Sequence, residues 1–386
     1  LGVNEACADI AHVDAQRARR RQTAAVANTA AQQQSAIEHG ADFRNESERV
    51  DPPGVAAGAA CETRVTTRAK EATEIVREAD LMRYDGVVVV GGDGTVAEVF
   101  QGLRERGDEA STSTPLGVVP AGSGNALCKS IQHAGGEPCD PVSCALTIAR
   151  GHTRALDRAE IRFRDAETGT WNETSTPTHS LLSTSWGFFS DVDVESEKFR
   201  FLGGARFTLQ AIVRILSRRT YRCDFLYETT ARGREHNERH YADADLGVRL
   251  SDRPGWRRVS GDVLGLWALN VPWGTETTLA APRAEFNDGS LDVVLVRVTN
   301  RKNMLKLMLD FDAGDHASTA TAASAHTTQL YVATAAAMMI ARHHGRVVSQ
   351  RASSAPKAKQ QLGSTERSSA NATFSRVTPS WSVPAS

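Results

Sequence analysis

An aspartate set among glycines at the end of an apolar run is the feature of this chain best suited to chemistry. Val87-Val-Val-Val-Gly-Gly-Asp-Gly-Thr95 is followed further along by a second glycine loop, Pro120-Ala-Gly-Ser-Gly-Asn125. Glycines let backbone N–H groups come close to a phosphate. The Asp93 carboxylate stands where an acceptor hydroxyl would lose its proton, and a simple turn aspartate is the alternative. Together these residues point to nucleotide-dependent phosphoryl transfer. Two other phosphate motifs fit poorly. No Gly-Lys-Ser/Thr follows either loop, which excludes a Walker P-loop. Gly92-x-Gly94-x-x-Ala97 formally matches the dinucleotide fingerprint, but Asp108 and Glu109 fall in a polar helix–loop junction rather than at the end of the next strand.

These loops need a scaffold, and the flanking periodicity supplies one. Residues 68–79 place Ala69, Ala72, Ile75, Val76 and Ala79 on one helical face. The strand Val87–Val90 follows, then a helix turning Val96, Val99, Phe100 and Leu103 inward, then a second apolar strand at Leu116–Val119. This is a βαβ alternation, which gathers its loops at one edge of a parallel sheet, where open α/β sheets bind ligands. Thr95-Val-Ala-Glu98 has the form of a helix capping box, so Glu98 is open to two readings, a cap or a nucleotide or metal ligand. Ser123-Gly124-Asn125 is a polar turn that also suits hydrogen bonding to a phosphate or base.

The 386 residues suggest two domains, and a formal net charge of −1 gives no drive toward nucleic acid, which we exclude as a partner. Cys7, Cys61, Cys128, Cys139, Cys144 and Cys223 are scattered without a Cys-x-x-Cys and read as reduced thiols. No apolar run is long enough to span a bilayer, and no secretory segment stands near the start. Beginning at Leu1 instead of Met, the chain reads as a fragment or a processed gene product. Residues 1–60 are expected to be a disordered arm, in which Gln16-Arg-Ala-Arg-Arg-Arg-Gln22 could touch acidic lipid or RNA or simply be solvated. Residues 61–150 form the α/β domain. Residues 151–315 are strand-rich, with turn signals at Asp252-Arg-Pro-Gly255 and Asn287-Asp-Gly289. Residues 316–386 are expected to be a disordered tail with a short helix near Leu330–Ala341.

The two glycine loops in this order resemble the diacylglycerol-kinase-type lipid kinase superfamily. A further block, Ser185-Trp-Gly-Phe-Phe-Ser-Asp-Val-Asp-Val-Glu-Ser-Glu-Lys198, continuing to Phe201-Leu-Gly and Ala205-Arg-Phe-Thr208, is similar to the sphingosine-binding segment of the sphingosine kinases. The resemblance covers roughly residues 61–315. No Asn-Pro-x-x-Gly loop is found upstream of Cys61, and no Asp-Gly-Glu motif near the C-terminus, although both are usual in that family. The resemblance implies an α/β ATP-binding domain and a β-sandwich-like second domain, with the active site in the cleft between them. Its implied activity is ATP- and Mg²⁺-dependent phosphorylation of a sphingoid base to its 1-phosphate, with diacylglycerol kinase, ceramide kinase or a lipid-binding remnant as the alternatives. Asp93 would be the catalytic base. Thr66, Thr67, Gly92, Gly94, Glu98, Ser123, Gly124 and Asn125 would line the ATP site, and Arg200 and Arg206 would contact its phosphates. Gly91 and Asp193 would meet the lipid, Asp193 holding its ammonium. Asp288 lies in a turn associated in the superfamily with a structural metal, although a plain hairpin turn explains it too. Trp186–Phe189 and Phe207–Leu216 are candidate walls for the lipid tail, or ordinary core. The implied location is cytoplasmic, with transient peripheral attachment to membranes.

Overall fold

The computed structural model describes residues 22–28, 60–164, 178–229, 234–235, 246–314, 327–333, 338–342, 370–375 and 382–383. The chain folds as two units, residues 1–156 with 380–386, and residues 157–379.

The first unit carries a parallel sheet of β1 (Gln22–Asn28), β2 (Ala60–Thr66), β3 (Gly86–Gly91) and β4 (Leu116–Pro120) in the order β2-β1-β3-β4. Its helices are α1 (Glu71–Glu78), α2 (Asp93–Arg106), the short α3 (Glu109–Ser113), α4 (Ala126–Gly135) and α5 (Pro141–Arg150). The valine run of β3 alternates, with Val87 and Val89 fully buried, whereas every residue of β4 is buried. All four residues expected on the inner face of α2 are buried, and Gly102 joins them. A Cβ on Gly102 would lie 2.5 Å from the Thr73 carbonyl oxygen, so α1 and α2 pack at a distance only glycine allows. The Thr73 hydroxyl seals that contact by donating to the Glu98 carbonyl at 2.9 Å. The capping box does not form. Gly92 is the N-cap of α2, so Thr95 is a buried residue inside the first turn and not the cap.

The second unit is built on antiparallel strands. After β5 (Arg154–Ala155) come β6 (Ala159–Arg164), β7 (Thr178–Ser180), β8 (Ser183–Gly187), β9 (Tyr221–Glu228), β10 (Val248–Arg249), β11 (Trp256–Leu269) and β12 (Ser290–Arg297). Between them lie α6 (Phe188–Ser196), a 3₁₀ segment at Glu197–Leu202 and α7 (Ala205–Ser217), and α8 (Arg301–Ala313) follows β12. Strands β13 (Thr327–Ala333), β14 (Met338–Arg342) and β15 (Ala370–Ser375) complete the order β13-β12-β11-β9-β14-β15-β6-β7, with β8 and β10 also paired to β11. The final strand, β16 (Ser382–Val383), pairs with β5, and both belong to the first unit. β12 is buried on both faces: Leu291, Val293 and Leu295 enter one core with Phe225 and Tyr227, while Val294 and Val296 enter another with Trp267, Met304 and Phe311.

Two sequence expectations change here. Parts of the flanks expected to be disordered are paired strands: β1 sits between β2 and β3, and β13 lies in register on β12 from Ser290↔Ala333 to Val296↔Thr327. β14, β15 and β16 also fall in the C-terminal flank, and the rest of both flanks, including the basic cluster at 16–22 apart from Gln22, lies outside the described residues. The helix expected near Leu330–Ala341 is replaced by β13 and β14, because Thr327-Thr-Gln-Leu-Tyr-Val is β-branched and aromatic and suits pairing on β12. The turn at Asp252–Gly255 does form a hairpin, β10 to β11, with Gly255 at φ +88°.

Candidate active site

Parallel pairing of β3 with β4 places Gly91 opposite Pro120, so the two glycine loops start side by side. The Ala121 N–H donates to the Gly91 carbonyl at 3.2 Å and ties them at their root. Beyond that tie the backbones nearly touch: a Cβ on Gly122 would lie 2.4 Å from the Gly92 Cα, and one on Gly91 would lie 2.9 Å from the Thr95 side chain. Gly91, Gly92 and Gly122 are therefore required by the contact of the chain with itself. Gly94 differs, because a Cβ there would meet nothing within 4 Å. It lies in the first turn of α2, where the amides ahead of Thr95, whose own N–H donates to the Gly92 carbonyl at 3.0 Å, have no acceptor in the preceding turn of the helix. An anionic phosphate fits that open, N–H-lined position.

Asp93 crosses from one loop to the other. Its Oδ2 accepts the Ala126 N–H at 3.0 Å and its Oδ1 accepts the Leu127 N–H at 3.1 Å. These are the first amides of α4, so a carboxylate from a distant part of the sequence caps that helix. Asn125, the residue at the N-cap position, is at φ +47° and turns its side chain to the loop instead. Its Oδ1 accepts the Gly122 N–H at 2.9 Å and its Nδ2 donates to the Gly122 carbonyl at 2.7 Å. Gly124 closes over the carboxylate, since a Cβ there would lie 2.8 Å from Asp93 Oδ2. Burial pushes the Asp93 carboxyl above its ordinary value, against the two α4 amides that favour the anion. The result is a carboxylate held in one orientation and made more basic, as proton acceptance from an alcohol requires.

The other nucleotide-side residues divide. Thr66 ends β2 at the same sheet edge and is buried. Thr67 is exposed, and both its N–H (2.5 Å) and its hydroxyl (3.0 Å) donate to Glu71, which organises the start of α1. Glu98 is partly exposed on α2. Ser123 is partly exposed and makes no side-chain hydrogen bond among the described residues, whereas Asn125 is committed to the loop.

Arg200, Arg206 and Asp193 lie in the second unit. Arg200 falls in the 3₁₀ segment, its side chain outside the described set. Arg206 is buried, pairs with Glu197 and stacks 4.4 Å from the centre of the Phe207 ring. The acidic run on α6 is not an exposed strip. Asp191 accepts from Arg219 at 3.0 Å and from the Tyr221 hydroxyl, while Glu195 pairs with Arg214 and accepts from Gln210 at 2.7 Å. Asp191 and Glu195, one turn apart, thus pin α6 to α7 and β9. Asp193 lies two residues from each, on a different face of the helix, and is partly exposed. Sequence reasoning missed Arg214, Arg219 and Tyr221 as partners of this run. The spacing of Asp191 and Glu195 on one helical face was the available signal.

Asp288 closes an Asx turn by accepting the Ser290 N–H at 2.9 Å, and the Gly289 N–H donates to Asp157 at 2.6 Å. This turn is the last part of the long connection 270–289 between β11 and β12, not the tight hairpin that was the simple alternative.

Comparison with known proteins follows the same division. The profile of the family described as Diacylglycerol kinase catalytic domain matches residues 38–161, and that of the YegS C-terminal NAD kinase beta sandwich-like domain matches residues 269–358. Sphingosine kinase 1 of Arabidopsis thaliana is 36% identical over 283 residues, covering 70% of this chain and 56% of the relative. Sphingosine kinase 1 of Homo sapiens is 35% identical over 269 residues, covering 65% of this chain and 67% of the human protein. The chain belongs to the sphingosine kinase family. As a family member it is short, spanning about half the length of the Arabidopsis relatives it matches. A structure described as a putative diacylglycerol kinase from Bacillus anthracis str. Sterne superposes with a TM-score of 0.57 at 14% identity, over 95% of this chain and 97% of that one. The sphingosine kinase family member thus has the two-domain fold implied by its motifs, an α/β catalytic domain with a β-sandwich-like domain after it.

Proposed function

We propose that this chain is the catalytic part of a kinase that transfers the γ-phosphoryl group of ATP to the primary hydroxyl of a sphingoid base. The observation that carries the reading is Asp93, a half-buried carboxylate with a raised pKa, fixed by two α4 amides at the junction of two glycine loops. In the proposed step the substrate oxygen attacks the γ-phosphorus as its proton passes to Asp93. The bond to the β–γ bridging oxygen breaks, and ADP leaves. Phosphate oxygens would lie over Gly94 and the first turn of α2, with Ser123 and Thr66 at the same sheet edge. Arg200 and Arg206 are assigned to phosphate in this reading, although Arg206 already has Glu197 as partner. Mg²⁺ supplies charge neutralisation when bound with the nucleotide, and Glu98 is the side chain we assign to it. A structural cation would lie at Asp288, whose Oδ1 accepts the Ser290 N–H in its own turn.

Substrate class rests on the family and on Asp193. A sphingoid base carries an ammonium beside its hydroxyl, whereas ceramide has a neutral amide there and diacylglycerol has no nitrogen. Asp191, Glu195 and Glu197 pair with arginines, and it is by resemblance to the family's sphingosine-binding segment that we assign Asp193 to that ammonium. Gly91 would stand at the lipid side of the same loop. A cytoplasmic protein that visits membranes to collect its lipid suits the surface of the second unit. Instead of forming pocket wall or core along its whole length, α7 exposes Leu209, Ile212, Val213 and Leu216, and the preceding segment exposes Phe201, at 81%. Apolar side chains clustered on helices of this kind bury into the headgroup boundary of a bilayer.

The test is transfer of labelled phosphate from ATP to sphingosine, diacylglycerol and ceramide by the full chain, by Asp93→Asn and by Asp193→Ala. Transfer to sphingosine that disappears in Asp93→Asn supports the reading. A rise in the requirement for sphingosine, with that for ATP unchanged, is expected for Asp193→Ala. Transfer unaffected by Asp93→Asn would sink the catalytic assignment, and a folded chain inactive on all three lipids would leave lipid binding alone.

A further inference from the structure

Three cysteines with no part in the proposed transfer meet inside the first unit. Cys128 is on the first turn of α4, Cys144 on α5, and Cys139 on the connection between the two helices. Their sulfur atoms all lie within 4.8 Å of one another, and those of Cys128 and Cys144 are 3.3 Å apart. In the sequence only Cys139 and Cys144 are near neighbours, and the fold of α4 against α5 brings in the third.

A buried thiol can serve as a small apolar side chain, but three sulfurs turned toward one point make a ligand set. A cation bonded at about 2.3 Å to each of three thiolates holds them roughly 3.8 Å apart. That spacing falls between the 3.3 Å of Cys128–Cys144 and the 4.8 Å limit within which all three sulfurs lie, so adjustments of about an ångström or less would seat an ion. The surroundings are those of a supported ligand. Gln132, 2% exposed, donates from Nε2 to Cys144 Sγ at 2.9 Å, and its Oε1 accepts the Thr147 hydroxyl at 3.0 Å, which fixes the amide orientation. Cys139 is partly exposed and offers a way in from solvent, while Cys128 and Cys144 are buried. An all-sulfur set selects a thiophilic ion and discriminates against Mg²⁺, which takes oxygen ligands.

We propose that Cys128, Cys139 and Cys144 bind one thiophilic divalent cation of the Zn²⁺ type, with a fourth position left to solvent. Loading forms three sulfur–metal bonds and releases the three thiol protons to water, with no change of oxidation state. The ion would fasten α4 to α5 one residue beyond Ala126 and Leu127, whose amides hold Asp93.

The experiment uses the full chain, reduced and stripped of metal, without nucleotide. Zn²⁺ is titrated in competition with a chromophoric chelator, and Cd²⁺ is added separately to read the thiolate-to-metal charge-transfer absorption. We expect one equivalent of Zn²⁺ taken from the chelator and a Cd²⁺ band to match. Cys139→Ser, at a partly exposed position that leaves the buried pair in place, is expected to weaken Zn²⁺ by more than about tenfold, the scale already seen for losing a supporting group. Cys144→Ser should do the same, and Cys61→Ser, on β2, should leave both signals unchanged. A folded wild-type chain that takes no Zn²⁺ from the chelator would overturn the proposal, and the thiols would then be core packing. A Cd²⁺ band that persists in both Cys139→Ser and Cys144→Ser would overturn it equally, by placing the metal elsewhere.

Discussion

Gly94 and Gly122 stand in paired loops, and replacing each by alanine should have opposite effects on stability. A methyl on Gly122 would lie 2.4 Å from Gly92 Cα, 2.9 Å from its nitrogen and 3.2 Å from Asn125 Oδ1. Relief to ordinary contact requires the two loops to part by about 1 Å, a strain of the overpacking kind. They cannot part freely, because Gly91 pairs with Pro120 and the Ala121 N–H is bonded to the Gly91 carbonyl. Overpacking of this kind costs about 1–3 kcal/mol. In a unit of this size that lowers Tm by roughly 3–10 °C. A methyl on Gly94 meets nothing within 4 Å and sits in a helix, where alanine is favoured over glycine. Gly94→Ala should therefore leave Tm unchanged or raise stability by up to about 1 kcal/mol. Activity should fall in both, in Gly94→Ala because the methyl occupies the space assigned to phosphate and in Gly122→Ala because parting the loops displaces Asp93, a displacement that costs on the order of a hundredfold per ångström. Calorimetry and phosphate transfer on the two variants separate the effects. Full activity in Gly94→Ala would refute the placement of ATP over that turn, and an unchanged Tm in Gly122→Ala would refute the loop contact.

Further outcomes follow from the same geometry. Burial raises the Asp93 carboxyl above 3.8, so kcat/KM should fall on the acid side with a midpoint above that value, and an acid limb at or below it would count against Asp93 as the base. The stability sign is opposite to that of an ordinary paired carboxylate. The fold favours protonated Asp93, so its contribution is complete below the unfolded value of about 3.9 and is lost as pH rises through the folded value. Asp93→Asn should remove that pH dependence, measured as Tm against pH. Arg214→Ala leaves Asp191 and Glu195 without a buried cationic partner and should cost roughly 3 kcal/mol by denaturant titration, whereas a cost under about 1 kcal/mol would show the pairs to be solvent-screened. Ile212→Glu with Leu216→Glu should abolish co-sedimentation with phosphatidylcholine vesicles while sparing transfer to detergent-dispersed sphingosine; sedimentation unchanged would remove α7 from the membrane reading.

Local pattern was enough to read β3, α2 and β4, because a four-valine run and a 3.6-residue apolar period are properties of neighbours in sequence. The glycine loops were legible for the same reason, and their order carried the family. Where the reading stopped at neighbours it erred. Thr95 and Glu98 have the spacing of a cap, yet the helix starts at Asp93, since Gly92 already supplies the turn and the Thr95 side chain is needed against Gly91. The alternation of Thr327–Val332 is short enough to pass for helix, and only the open edge of β12 makes it a strand. Charge spacing over Asp191–Glu197 showed four carboxylates, while the arginines that pair with three of them are Arg206 and Arg214 of α7 and Arg219 just before β9. Most of what matters at the site is of this second kind. That Asp93 caps α4, that Gly122 must be glycine because Gly92 lies against it, and that Cys128 meets Cys139 and Cys144 are contacts between segments that only parallel strand pairing and helix packing bring together. The residues that can do chemistry were therefore set by the sequence alone, and the fold decided how each is oriented, charged and shielded from water.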